Sequence, residues 1–314
     1  MSNVNQNFDR LNFVDNLNDT FYINTVEDNL KSFLSHGLLN VGGFVNVNVA
    51  VTGLYNNSFN KLKVVEDPAY KANTVWATPK QAWVWETGID YNGTSPINIS
   101  GLYINNTFYP GPTGVLNSSY KLDYNNGQVV FDKSVAANSN VTMNYSYRWC
   151  RVLKASEFEG RKVLQKLSYK TINSTTETNH NVQLPCLIVE AIPRDTSEAF
   201  ELGSLVTVRK QDFIVHIYTE SDVQRKMFVD ILKLQEEKFL KIYDANKVSA
   251  SGYYGLNNDG SRNPSGLNYS QIINRNDLVW NTALLRDVTY VDSQQNVSST
   301  LFWCIVRLTA EIIY

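Results

Sequence analysis

No stretch constrains this chain more than residues 211–244, QDFIVHIYTESDVQRKMFVDILKLQEEKFLKIYD, where the hydrophobic period changes across a sharp boundary. Phe213, Val215 and Ile217 alternate with Ile214, His216 and Tyr218, the pattern of a central strand covered on both faces. Ser221-Asp222-Val223-Gln224 then has the form of a capping box, in which Ser221 takes the amide of Gln224 and Gln224 reaches back. Phe228, Ile231, Leu232, Phe239 and Ile242 follow at helical spacings, with Arg225, Lys226, Lys233, Glu236, Glu237 and Lys241 mostly between them. That predicts an amphipathic helix laid on a sheet.

The 314 residues are enough for two domains, or for one domain carrying a large insertion. A charged fraction of 18% and a net charge of −2 give no electrostatic footprint for a nucleic acid, so no specific nucleic-acid partner is expected. Polarity comes instead from Asn, roughly one residue in eight, beside 18 Tyr, which fits a low-GC coding bias better than a prion-like tract because the Asn are scattered. Cys150, Cys186 and Cys304 lie far apart, each in or beside an apolar run (YSYRWCRVL, LPCLIV, LFWCIV). Buried free thiols and a reducing cytoplasm during folding are therefore expected, not a disulfide or a zinc site. The first residues, MSNVNQNFDRLNF, have no basic n-region or long apolar h-region, and no segment approaches eighteen apolar residues. Neither secretion by the usual route nor a membrane partner is expected.

Residues 1–18 read as a flexible polar arm. INTVEDNLKSFLSHG predicts a helix with Asn24 or Thr25 as N-cap, Glu27 and Asp28 in its first turn and Gly37 as its stop. FVNVNVAV, 44–51, alternates as a strand with one wet face. Between 61 and 152 the pattern is all-β, in three strand pairs or long strands: ISGLYINNTFYPG, YKLDYNNGQVVFD and SNVTMNYSYRWCRV. Asn125-Asn126-Gly127 predicts a type I′ hairpin turn, and Val141, Met143, Tyr145 and Tyr147 share one face. This part reads as a small sandwich or barrel, and Trp76, Trp83 and Trp85 form either its aromatic core, a subunit interface or a carbohydrate-stacking platform. From Ala155 the chain returns to mixed α/β: EFEGRKVLQKL as a helix weakened by Gly160, a polar loop at 173–181, LPCLIVEAI as a buried strand, and LVTVRK leading into the central strand. Residues 245–268 read as a long loop that needs a function or a partner to order it. The stretches 283–292 and 299–314 read as a closing antiparallel pair. The fold class expected is α+β: a mixed sheet with packed helices from 19–60 and 153–314, carrying an inserted all-β module at 61–152.

Chemistry finds little support. His36, His180 and His216 fall on a helix end, a loop and a strand with no shared spacing; Glu220, Asp222 and Asp230 suit a cap and a helix surface. No HExxH, GxSxG or phosphate-loop pattern is present, so no catalytic, cofactor-binding or metal-ligating residue is assigned and no cofactor is expected.

The order of elements from Leu184 to Tyr314 (LPCLIVEAI, a loop with ELG, the strand and helix of 211–244, then two antiparallel strands) resembles the tail-terminator, or tail-completion, proteins of tailed bacteriophages. TVEDNLKSFLSHG stands where that family packs an N-terminal helix on its sheet. GLYINNTFY, VVFD and NVTMNYSY are similar to small β-modules of phage neck, tail and baseplate proteins. The resemblance covers half to two-thirds of the length, and the chain is much larger than a simple terminator. It implies a non-enzymatic virion protein made in the host cytoplasm. Such proteins form a homo-oligomeric ring, usually sixfold, that caps the tail tube or sheath, gives head-completion or connector proteins a docking surface and leaves a lumen for DNA. Another neck or baseplate component, a receptor- or glycan-binding tail protein using the Trp-rich module, and a hydrolase using His216 stand as alternatives.

Overall fold

The computed structural model describes residues 22–48, 58–66, 70–111, 120–157, 183–199, 206–291, 296–298 and 301–313. The arm at 1–18, the helix expected beyond Glu157, the loop 173–181 with His180, and Glu201-Leu202-Gly203 lie outside these residues. What is described is α+β and mostly strand: small antiparallel sheets beside one curled, half-barrel mixed sheet.

Helix α1 (Tyr22–Asn40) presents Val26, Leu30, Leu34 and Leu38, spaced every four residues, to the main core. Burying each is worth about 1.5–3 kcal/mol. The helix starts earlier than its sequence signals, so neither Asn24 nor Thr25 caps it and no acid falls in its first turn. It also runs through Gly37 and ends against Gly42, at φ +85°. A mid-helix glycine costs about 1 kcal/mol, less than is gained by burying Leu38 and Leu39 beyond it.

Nine short strands follow: β1 (Phe44–Val47), β2 (Lys63–Val64), β3 (Val75–Ala77), β4 (Gly101–Ile104), β5 (Thr107–Pro110), β6 (Tyr120–Asp123), β7 (Gln128–Phe131), β8 (Val141–Met143) and β9 (Tyr145–Arg148). They make three antiparallel sheets, β1-β9, β2-β3-β7-β6 and β5-β4-β8, and a core that includes Trp76, Trp83, Leu102, Tyr120, Met143 and Tyr145. Val141, Met143 and Tyr145 are buried together, although β8 and β9 belong to different sheets. The two-residue turn with both φ positive is Asn105-Asn106, joining β4 to β5 at +49° and +68°. At 124–127 the Asp123 carboxylate accepts from the amides of Asn125 and Asn126, each at 3.1 Å, and only Gly127 turns left-handed. The aspartate thus replaces the expected type I′ turn with a wider one.

The large sheet contains β10 (Arg151–Lys154), β11 (Cys186–Ala199) and β12 (Thr207–Thr219), joined after helices α2 (Asp222–Lys233), α3 (Ala245–Ala250) and α4 (Tyr269–Ile273) by β14 (Val279–Val291), β15 (Asn296–Ser298) and β16 (Leu301–Ile313), with β13 (Phe239–Tyr243) between α2 and α3. Its order is β10-β11-β12-β16-β14-β13, with β15 on β16; β10 runs parallel to β11 and every other pair is antiparallel. Arg151 and Val152, expected in the β-module, already belong to it. Strand β12 is central as expected, with Phe213, Val215 and Ile217 fully buried beside Cys304, Val306 and Leu308 of β16. The three cysteines are buried free thiols, and burial holds the Cys150 thiol well above its usual pKa.

Helix α2 is shorter than its periodicity predicts. Ser221 Oγ accepts from the amide of Gln224, but Gln224 Oε1 is buried without a partner, so half of the capping box forms. The helix stops at Lys233, the chain turns through Glu237 at φ +62°, and Phe239 and Ile242 lie on β13. Leu240 and Ile242 satisfy a strand period as well as a helical one, and pairing with β14 decides between them. The stretch 245–268 is ordered from within: Asp244 caps α3, Asn263 Nδ2 donates to the carbonyls of Gly252 and Tyr254, and Asn268 makes a full capping box with Gln271 on α4.

Candidate functional site

Helices α1 and α2 bury their apolar faces against one side of the large sheet, in the main core. The cross-strand register fixes what its other side presents. Val208 pairs with Ile313; one row on, Lys210, Glu311, Leu284 and Phe239 follow one another across β12, β16, β14 and β13. At this end of the sheet, opposite Leu240, Ala283, Ala310 and Ile312 of the main core, they form a groove of about 570 Å³. Phe239 is 70% exposed and Ile313 52%. The charges around them are paired: Lys210 Nζ lies 3.6 Å from both Glu198 and Glu311, and Arg286 Nε lies 3.3 Å from Glu311. The groove thus has an apolar floor inside a self-neutralised rim.

The neighbouring sheet edge is closed to further strands. Asn29 of α1, fully buried, accepts from the Tyr243 amide at 2.9 Å and donates to the Tyr243 carbonyl at 3.0 Å, while the Tyr269 hydroxyl donates to the Lys241 carbonyl. Side chains therefore occupy backbone groups that an added strand would need.

A second apolar surface lies on the back of α2. Phe228, Val229 and Leu232 face the sheet. Val223, Met227 and Leu234 are four and seven residues apart and fall on the opposite side, with Val223 77% and Leu234 80% exposed. Exposed Asp230 falls among them, and exposed Lys226 and Lys233 flank them, Lys226 paired with Asp222 at 2.7 Å.

A separate cleft of about 700 Å³ separates α1 from the β-module. On its wall the Arg148 guanidinium pairs with Glu86 and donates to the Ser35 carbonyl at 3.1 Å. Glu86 Oε2 and His36 Nδ1 are buried without partners, and burial pulls the His36 pKa down against the opposing pull of Glu86. Trp85 lines the cleft beneath Gly255, where a Cβ would stand 1.9 Å from the indole. The three tryptophans do not make an exposed platform. Trp76 and Trp83 are core residues, and Trp83 Nε1 donates to Thr78 Oγ1 at 3.0 Å.

His216 lines neither cavity. Its Nε2 sits 2.7 Å from Glu190 Oε2, and its ring stacks with those of Tyr218 and Trp303 on the outer sheet face. Among the described residues no group of three His, Cys, Asp or Glu could hold a metal ion, and no helix is long and apolar enough to cross a membrane. Sequence reasoning missed the groove because Phe239 was assigned to the buried side of a helix. The back of α2 was legible, since Val223, Met227 and Leu234 fall opposite Phe228 and Leu232 on a helical wheel. No protein-family model matches this chain, and no curated protein matches its sequence.

Proposed function

We propose that this chain is a structural protein of a tailed-phage virion, placed at the neck and tail, which acts as a tail terminator by closing into a ring. Its element order from Leu184 onward resembles that family. The observation that carries the reading is the uncovered part of the large sheet: helices pack on one face, and the other, beyond a second buried cluster around Ile188, Tyr218 and Leu301, keeps an apolar groove with Phe239 and Ile313 in the open. A monomer gains nothing from such a surface, whereas an assembly buries it. The chain's work in this reading is association, with no reaction step. The ring caps the tail tube, gives head-completion proteins a docking surface and leaves a lumen for DNA.

Native mass spectrometry with negative-stain imaging tests this on the purified protein, alone and on tail tubes. A closed ring, usually sixfold in the family, is the expected result in at least one setting. An elongated trimer overturns it in favour of a fibre or adhesin.

A further inference from the structure

The geometry points to a ligand site in the cleft between α1 and the β-module, one that takes an uncharged, hydroxyl-rich molecule: a saccharide unit. This goes beyond the ring reading and does not rest on it.

The cleft is held open by construction. Its volume of about 700 Å³ falls within the roughly 300–1,000 Å³ that small-ligand sites span. The segment 252–268, which leaves the large sheet after α3, reaches across and is fastened to the β-module. The Tyr124 amide donates to the Gly260 carbonyl at 2.9 Å, and Asn268 Nδ2 donates to the Thr87 carbonyl at 3.1 Å. Leu256 packs on the module's core, and Gly255 lies too close to Trp85 for any side chain. The walls are therefore tied to one another around the cleft and do not collapse into it.

The pairing of its charges selects the ligand. Lys31 Nζ lies 2.5 Å from Glu157 Oε1, Arg148 pairs with Glu86, and Arg151 Nη1 donates to Gln81 Oε1 at 2.7 Å. A charged ligand would have to break one of these contacts. Two groups keep unmet capacity: Glu86 Oε2 on the module wall and His36 Nδ1 on the α1 wall, with their residues only 7% and 6% exposed. Orphaned polar atoms on side chains this buried are costly unless something satisfies them. A carboxylate oxygen only accepts, so the ligand must donate to it. An anion is repelled by that oxygen, and an amine meets Lys31, Arg148 and Arg151. Hydroxyls satisfy both requirements, because each donates and accepts without charge. They also suit the neutral imidazole, whose pKa burial lowers. Trp85 and Tyr254, the latter 41% exposed, add aromatic rings on which the apolar face of a pyranose packs.

Ligand-observed NMR on the full-length chain tests this, with glucose, galactose, N-acetylglucosamine and maltose as probes and inorganic phosphate and methylammonium as charged controls. Binding of at least one sugar is expected, unaffected by either control. Asn258→Trp, at an exposed position on the cleft wall, fills the space and abolishes binding. Tyr254→Ala weakens it about tenfold, and Tyr254→Phe, which keeps the ring, restores it. Thermal melts serve as the folding control for all three variants. No binding of any sugar overturns the proposal, as does sugar binding that survives Asn258→Trp. Binding of phosphate or methylammonium that Asn258→Trp removes, with no sugar bound, overturns the uncharged class. The native mass of the same samples reads the ring separately, so either reading can fail while the other stands.

Discussion

Asn29 is where the helix layer secures the edge of the sheet, and its replacement by Ala has a calculable effect. Its side chain makes three hydrogen bonds: Nδ2 to the carbonyls of Thr25 and Tyr243 at 2.8 and 3.0 Å, and Oδ1 from the Tyr243 amide at 2.9 Å. The Thr25 bond is expendable, because that carbonyl lies inside α1. Tyr243 is buried, so Asn29→Ala leaves two backbone groups without partners at about 1–3 kcal/mol each. The expected loss is about 2–6 kcal/mol, toward the lower end if water enters the vacated space. Urea unfolding followed by tryptophan fluorescence measures it as a lower midpoint with unchanged slope.

Asn29→Asp sharpens the test. At neutral pH a carboxylate still accepts from the Tyr243 amide but faces the Tyr243 carbonyl with no proton to donate, so its folded pKa is raised. The protonated acid restores both bonds. Relative to wild type, this variant is therefore most stable below the ordinary carboxyl range and loses ground as pH rises through the raised pKa. A loss below about 1 kcal/mol for Asn29→Ala, or no pH dependence for Asn29→Asp, would refute the edge-closing role.

Three further outcomes are expected. Burial holds the His36 pKa below 6.5, so its contribution to stability is complete above that value and is lost as pH falls through the folded pKa; His36→Gln removes this part of the acid lability in thermal melts between pH 5 and 7. Breaking the buried Arg148–Glu86 pair from one side, by Glu86→Gln, costs about 3–5 kcal/mol in urea, and the double change Glu86→Leu/Arg148→Met costs less than the single one. Gly255→Ala drives a Cβ into the Trp85 ring and loosens the 252–268 segment, seen as faster amide exchange from Gly252 to Asn268 with the large sheet unaffected.

The large sheet was legible because burial and period agree there. Phe213, Val215 and Ile217 alternate into the core, and the closing strands pair as their patterns require. Local signals misled where a tertiary contact outweighed them. Gly37 reads as a stop until Leu38 and Leu39 prove to be buried, and Asn125-Asn126 reads as a type I′ turn until the Asp123 carboxylate takes its amides. Leu240 and Ile242 fit either period, so nothing local marked the end of α2 at Lys233. The groove was beyond reach for a stronger reason. It is assembled from the ends of five strands, and its most exposed apolar residue, Phe239, follows soon after a helix whose pattern absorbs it. His36, Glu86 and Arg148 likewise come from segments far apart in the chain and meet only when α1 lies beside the β-module.

The most direct test of the central claim is the native mass of the wild-type protein, free and on tail tubes, compared with that of Phe239→Asp. A closed ring is expected for wild type and a folded monomer for the variant. A wild-type chain that remains monomeric in both settings, or that forms an elongated trimer, contradicts it.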